Sequence, residues 1–154
     1  MKLALFGQYY QSNTAEIVTK VLTILNAHQV QIVFEAHFLE ILKEKEIVTS
    51  NFPVFHNNHE LDSSFEALIS IGGDGTILKA ATYIRDKNIP IIGINAGRLG
   101  FLATVQFENI EIQLKKLLAK EYHVSKRTLL SITTDPSYES FSDLDFALNE
   151  VTVA

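Results

Sequence analysis

Short apolar runs and stretches of helical periodicity alternate along the first 120 residues. The runs that predict buried strands lie at Lys2–Phe6, Val30–Phe34, Ala67–Ile71 and Pro90–Ile94. The stretches with helical spacing lie at 14–28, 36–46, 77–87 and 107–118. Strands that are apolar almost throughout, and that alternate with helices, are typical of a parallel sheet covered on both faces. The pattern therefore predicts an α/β fold, with a Rossmann-like parallel sheet and helices on both faces.

Two parts of the chain depart from this alternation. Residues 47–66 have little periodicity and many turn-forming residues, so we predict that most of this segment is loop. The segments 123–134 and 143–154 read as strands with no helix between them. We therefore expect an α/β nucleotide-binding domain over residues 1–121. The beginning of a β-rich second domain, truncated within a strand-like run, is expected over residues 122–154.

Composition narrows the class of protein. Hydrophobic residues make up 47% of the 154 residues and charged residues 20%, which suits a globular domain with a core. A formal charge of −5 weighs against a nucleic-acid partner, and the lack of cysteine excludes disulfides, thiol catalysis and cysteine zinc sites. No run approaches the roughly 20 apolar residues of a membrane span, and no signal-peptide core follows the first strand. We expect a soluble, cytoplasmic protein.

The segment SIGGDGTILKAA at 70–81 places a glycine-rich turn between a predicted strand and a predicted helix. A hairpin turn is the alternative, but hairpins need alternating strands on both sides, and the sequence after the turn is helical. At the carboxyl end of a parallel strand, backbone N–H groups beside a helix N-terminus attract phosphate. We therefore predict a phosphate-binding turn made by Gly72, Gly73, Gly75 and Thr76, with Thr76 also able to cap the helix.

Asp74, within this turn, has two interpretations. Aspartate is an ordinary capping or turn residue. Alternatively, a carboxylate beside phosphates could accept a proton from an attacking hydroxyl or help to hold Mg²⁺. The spacing alone slightly favours the functional interpretation.

A second group of glycines follows the next predicted strand in PIIGINAGRLGFLATV. Gly93, Gly97 and Gly100 come at the carboxyl end of that strand, so the loop is expected beside the 72–76 turn. An ordinary glycine-rich loop is the alternative, with Arg98 in solvent and Phe101 in the core. Two such loops at one sheet edge favour a binding site.

Three segments together resemble the NAD kinase family: GGDGT at 72–76, PIIGINAGRLGFL at 90–102 and ALNEVTV at 147–153. The resemblance implies transfer of the terminal phosphoryl group of ATP, or of polyphosphate, to the adenosine-ribose 2′-hydroxyl of NAD, giving NADP. It also implies a divalent metal, usually Mg²⁺, that accompanies the donor. No tightly bound cofactor and no metal ligands on the protein are implied.

The resemblance assigns roles to individual residues. Asp74 becomes the proton acceptor. The residues implied to contact NAD are Asp74, Gly75, Lys79, Phe101, Asn149 and Glu150. Without the resemblance, the last two would be an ordinary pair on an edge strand facing water.

Family members continue into a second domain that holds much of the NAD and most of the subunit interface. We therefore expect residues 1–154 alone to be inactive, and the full-length parent to be a homo-oligomer, either a dimer or a tetramer. Two alternatives stay open: a non-catalytic NAD- or NADP-binding module, and a kinase that phosphorylates a sugar or lipid hydroxyl through the same GGDG turn.

Overall fold

Five parallel strands form one sheet in the order β3-β2-β1-β4-β5. The computed structural model describes residues 1–9, 13–97, 100–131 and 146–148. The strands of this sheet are β1 Lys2–Gly7, β2 Gln31–Glu35, β3 Val54–Phe55, β4 Ala67–Gly72 and β5 Ile91–Asn95. The chain adds strands on one side of β1 and then crosses to the other side for β4 and β5. The predicted Rossmann-like fold is thus confirmed.

Helices cover both faces of the sheet. They are α1 Asn13–Ala27, α2 Ala36–Glu44, α3 Asp74–Ile84 and α4 Ile110–Leu118, with short 3₁₀ turns at Asn58–Glu60 and Phe107–Asn109. One buried cluster joins α1, α2 and α4 to strand residues such as Leu3 and Leu5. The other joins α3 to Ala4 and Phe6, which point to the opposite face because side chains alternate along a strand.

The bounds of the sheet's predicted strands and of the predicted helices lie within three residues of the observed ones, and two differences have a physical reason. Strand β3 lies within the segment 47–66 that was predicted to be mostly loop, and its two residues pair with the end of β2. Two residues are too few to produce a periodic pattern. Helix α3 begins at Asp74 rather than Ile77, because the glycine-rich turn already has helical geometry at positions where composition indicates a loop.

The contacts within the chain divide it into two compact units, Met1–Tyr122 and His123–Ala154. In the second unit, β6 Leu130–Ser131 pairs antiparallel with β7 Phe146–Ala147. The strand predicted over 123–134 is wrong for residues 123–129, which are irregular; all of them except the half-buried Leu129 are exposed, so this segment buries no continuous apolar face. The predicted domain ranges 1–121 and 122–154 stay a prediction.

No helix among the described residues combines the length and the apolar character needed to cross a bilayer.

Candidate functional site

The carboxyl ends of β1, β4 and β5 bring three segments to one edge of the sheet. Gly7 is in register with Ile71, and Gly72 with Asn95, so these strands end at the same level. The segments that follow the strands at this edge are therefore Gln8, the turn 73–76, and the described loop residues 96–97 and 100–104. It is also where the strand order reverses, the position at which ligands bind in open α/β sheets.

Helix α3 begins at this edge without a side-chain cap. Gly73 is its N-cap residue, with φ −98° and ψ −167°. The predicted capping role of Thr76 is wrong, because Thr76 is already inside the helix. Its buried hydroxyl instead donates a hydrogen bond of 3.1 Å to Oε1 of Gln8, which links the start of α3 to the end of β1.

The glycines of the 72–75 turn lie in different surroundings. Gly72 is buried and has φ +154°, and a Cβ atom there would lie 2.8 Å from Cβ of Thr76. At Gly73 and Gly75, a Cβ atom would meet no atom within 4 Å, and Gly75 is exposed. The N–H groups of the first helical turn have no acceptor within a helix, so Asp74 and Gly75 offer unbonded backbone donors next to open space. This is the geometry that phosphate binding requires, although Gly72 and Thr76 face the interior.

The Asp74 carboxylate is held by the backbone of a loop far along the chain. Oδ2 accepts the N–H of Phe101 at 2.8 Å, and Oδ1 accepts the N–H groups of Leu102 and Ala103 at 2.9 and 3.0 Å. These bonds from Ala103, Phe101 and Leu102 lower the pKa of the carboxyl below its ordinary value of 3.8. The side chain is therefore ionised near neutral pH. Neither interpretation of Asp74 from the sequence included this contact.

The loop that holds Asp74 is itself anchored to strand β5. The buried Asn95 accepts the Gly97 N–H through Oδ1 at 2.7 Å and donates from Nδ2 to the Ala103 carbonyl at 3.4 Å. Val105 then pairs beside Ile94, accepting the Asn95 N–H at 2.8 Å. The loop thus leaves β5 and returns to it. Asn95 did not appear among the predicted site residues, although a polar residue directly after an apolar run was the available signal.

The remaining predicted residues are less tightly held. Lys79 is exposed, one turn beyond Gly75 on α3, and its ammonium lies 5.9 Å from the ring centroid of Phe6. Phe101 is 95% exposed, so the alternative that placed its ring in the core is wrong. Asn149 and Glu150 lie outside the described residues.

No group of three or more His, Cys, Asp or Glu side chains in the described part of the chain is arranged to hold a metal ion. The Asp74 carboxylate has most of its acceptor capacity taken by the loop amides, which leaves it at most one ligand to offer.

A family model described as the ATP-NAD kinase N-terminal domain matches residues 3–122. The chain belongs to the ATP-NAD kinase family. The NAD kinase of Flavobacterium johnsoniae is 51% identical over all 154 residues, and that of Christiangramia forsetii is 42% identical over 156 aligned residues. Each match covers 100% of this chain but 52% of the relative, so the chain spans about half the length of these curated NAD kinases.

Solved structures from the NAD kinase family share the fold. A yeast NADH kinase in complex with NADH matches with a TM-score of 0.68 and 18% identity, over 85% of this chain and 41% of that one. An NAD kinase from Archaeoglobus fulgidus in complex with ATP matches with a TM-score of 0.53 and 23% identity, over 86% of this chain and 40% of that one. The α/β architecture is therefore that of known NAD kinase structures.

Proposed function

We propose that the protein containing this chain is an NAD kinase. It transfers the terminal phosphoryl group of ATP, or of polyphosphate, to the adenosine-ribose 2′-hydroxyl of NAD. The observation that carries the proposal is the Asp74 carboxylate, ionised and fixed at the start of α3, beside unbonded N–H groups at the strand-order reversal. The relatives named NAD kinase and the neighbours solved with NADH and with ATP support the choice of substrates.

In this proposal, Asp74 is the proton acceptor. The 2′-hydroxyl oxygen forms a bond to the terminal phosphorus, the bond from that phosphorus to the donor's bridging oxygen breaks, and the hydroxyl proton passes to Asp74. Phosphoryl transfer has a loose transition state, so the hydroxyl becomes acidic late and its orientation matters most. A carboxylate with a lowered pKa is a weak base, but it suits the task of orienting a hydroxyl and receiving a late proton.

The donor's phosphates are assigned to the first turn of α3. The backbone N–H groups of Asp74 and Gly75 and the positive end of the helix dipole favour an anion there. Gly72 and Thr76 contribute by shaping the turn. The described residues offer Mg²⁺ no set of ligands of their own, so we propose that the ion enters with the phosphates of ATP, whose oxygens it prefers, and offsets their charge.

The dinucleotide is assigned to side chains around this turn. Asp74 and Gly75 lie at the start of α3, and the exposed Lys79 lies on the same helix face, where it is free to reach a phosphate or ribose. The exposed ring of Phe101 offers a flat apolar surface to the adenine. From the family resemblance we also propose Asn149 and Glu150, which lie outside the described residues, as hydrogen-bonding partners of NAD.

Replacement of Asp74 tests the proposal in the full-length protein. We expect Asp74→Asn to lower kcat for NADP formation about 10²–10⁴-fold, the usual effect of removing a proton acceptor, while calorimetry still detects NAD binding. Asp86→Asn is the matched control, because Asp86 is an exposed acid just beyond the same helix. A variant that keeps full turnover contradicts the role of Asp74.

The same preparation separates the alternative functions. The full-length protein is given NAD, a sugar phosphate and diacylglycerol together, with ATP labelled on its terminal phosphoryl group. We expect the label to appear in NADP alone. Label in the sugar or the lipid would replace the proposal with the related GGDG kinase. NAD binding without any labelled product would support a non-catalytic module.

Three further features of the whole protein are proposals: a cytoplasmic location, a dimeric or tetrameric state, and the inactivity of residues 1–154 alone. Sedimentation of the full-length protein tests the oligomer. Incubation of the 154-residue chain with NAD, ATP and Mg²⁺ tests its competence, and NADP formation at the full-length rate would contradict the expected inactivity.

A further inference from the structure

The contact between Asp74 and the loop 100–103 depends on a glycine. A Cβ atom at Gly100 would lie 2.6 Å from Oδ2 of Asp74 and 2.5 Å from its carboxyl carbon, closer than real Cβ contacts allow. A side chain at position 100 would therefore displace the carboxylate from the place where the loop amides hold it. Gly97, in the same loop, has no atom within 4 Å of its Cβ position, so the requirement is specific to Gly100.

We infer that Gly100 is a positioning residue, which lets the N–H groups of residues 101–103 hold the Asp74 carboxylate with a single acceptor site left, on Oδ2. A carboxylate has about four lone-pair positions. Oδ1 uses two of them for Leu102 and Ala103, and Oδ2 uses one for Phe101. The position that remains belongs to Oδ2. The inference that Gly100 positions Asp74 for catalysis rests on the proposed function.

The consequence for the reaction is a defined acceptor atom. The attacking hydroxyl donates its hydrogen bond to the remaining site of Oδ2. As its oxygen bonds to the terminal phosphorus and the donor's bridging oxygen leaves, the proton passes to Oδ2. The three amides prevent the carboxylate from rotating, so the hydroxyl is fixed in one direction. Misplacement of a reacting group by about 1 Å costs on the order of 10²-fold in rate.

A double-mutant cycle in the full-length protein tests whether Gly100 acts through Asp74. We expect Gly100→Ala to lower kcat about 10²-fold with little change in the KM for ATP. In the Asp74→Asn background, Gly100→Ala is expected to cause no further loss, because the group that it positions is already gone. Equal losses in both backgrounds would show that Gly100 acts independently of Asp74 and would overturn the inference. Gly97→Ala is the matched control and should lower kcat far less.

A measurement without turnover separates failure of this inference from failure of the proposed function. The carboxyl carbon of Asp74 is labelled with ¹³C in the full-length protein and titrated by NMR. Loss of the loop amides in Gly100→Ala should raise the pKa of Asp74 toward its ordinary value, whatever substrate the protein uses. An unchanged pKa contradicts the proposed positioning. If the pKa rises but wild-type protein makes no NADP, the positioning stands and the kinase proposal fails.

A second variant keeps the test decisive if Gly100→Ala does not fold. Replacing Phe101 by its α-hydroxy analogue turns the amide into an ester and removes the N–H that binds Oδ2, while the ring is kept. Phe101 is 95% exposed, so the change spares the core. We expect a raised pKa of Asp74 and a lower kcat, and an ester variant with wild-type values of both would overturn the inference.

Discussion

At the scale of single residues, Gly72 is fixed by its backbone and by its neighbour. Its φ of +154° is one that L side chains rarely adopt, and a Cβ would contact the side chain of Thr76, whose hydroxyl is bonded to Gln8. The residue therefore serves the turn itself, whatever ligand the turn binds.

We expect Gly72→Ala to lower the free energy of unfolding by about 1–3 kcal/mol, the usual cost of a strained backbone conformation. Gly73→Ala is the control, because Gly73 has extended backbone and open space at its Cβ position. That change should shift the stability by less than about 1 kcal/mol. Urea denaturation followed by circular dichroism measures both, and equal effects of the two substitutions would contradict the assignment of strain to Gly72.

The surroundings of Tyr83 predict how the stability of the protein depends on pH. Its hydroxyl donates to Oε1 of Glu35 at 3.5 Å, and burial, together with the nearby carboxylate, raises the pKa of Tyr83 above 10.0. The unfolded chain releases this proton near pH 10 while the folded protein still holds it. Between pH 10 and the raised pKa, the folded state therefore holds more protons than the unfolded chain does. The free energy of unfolding falls as the pH rises through that interval.

We expect Tyr83→Phe to remove part of the stability loss that occurs at alkaline pH. The free energy of unfolding is measured in urea at several pH values from 8 to 11. The difference in this free energy between wild type and Tyr83→Phe should change only above pH 10. Tyr122→Phe is the control, since Tyr122 is exposed. If this difference stays constant over the whole pH range, Tyr83 does not contribute to the loss of stability at alkaline pH.

At the scale of elements, α2 is capped by the residue that ends β2. Glu35 is buried, and its Oε2 accepts the N–H of Phe38 at 2.8 Å, so one carboxylate satisfies an orphan donor of the helix and the hydroxyl of Tyr83. The strand and the helix therefore share their boundary residue.

We expect Glu35→Ala to destabilise the protein by about 2 kcal/mol, because both a cap and a buried acceptor are lost. Glu44→Ala is the matched control in the same helix. Glu44 is exposed in the last turn, where an acid opposes the helix dipole, so its removal should have little effect. Thermal unfolding measures both, and a neutral Glu35→Ala would contradict the capping role.

Elements and contacts differed in how far the sequence could predict them. The four longer strands of the sheet were predictable because each is a nearly continuous apolar run, which leaves few other buried conformations. Strand β3 was not, because it forms only where β2 supplies a partner. The Asp74 contact was not predictable either. It joins a side chain to backbone N–H groups 27 to 29 residues away, and backbone groups are the same in every residue.

At the scale of the whole molecule, the two buried clusters are built from residues that precede position 118. All five strands of the parallel sheet also lie in this part of the chain. An ion pair of 2.8 Å between Lys120 and Glu66 ties the segment after α4 to the start of β4. The unit Met1–Tyr122 therefore contains its own core, in addition to the proposed phosphate-binding turn.

We expect residues 1–122, produced alone, to fold cooperatively, with a single thermal transition and dispersed amide NMR signals. A chain of residues 1–105 is the control. It lacks α4, whose Ile110, Leu114 and Leu117 are buried in the cluster that includes α1, so its removal exposes apolar surface on that face of the sheet. The shorter chain should lose the cooperative transition. If residues 1–122 also melt without cooperativity, the core of this unit is insufficient, and folding depends on sequence beyond Tyr122.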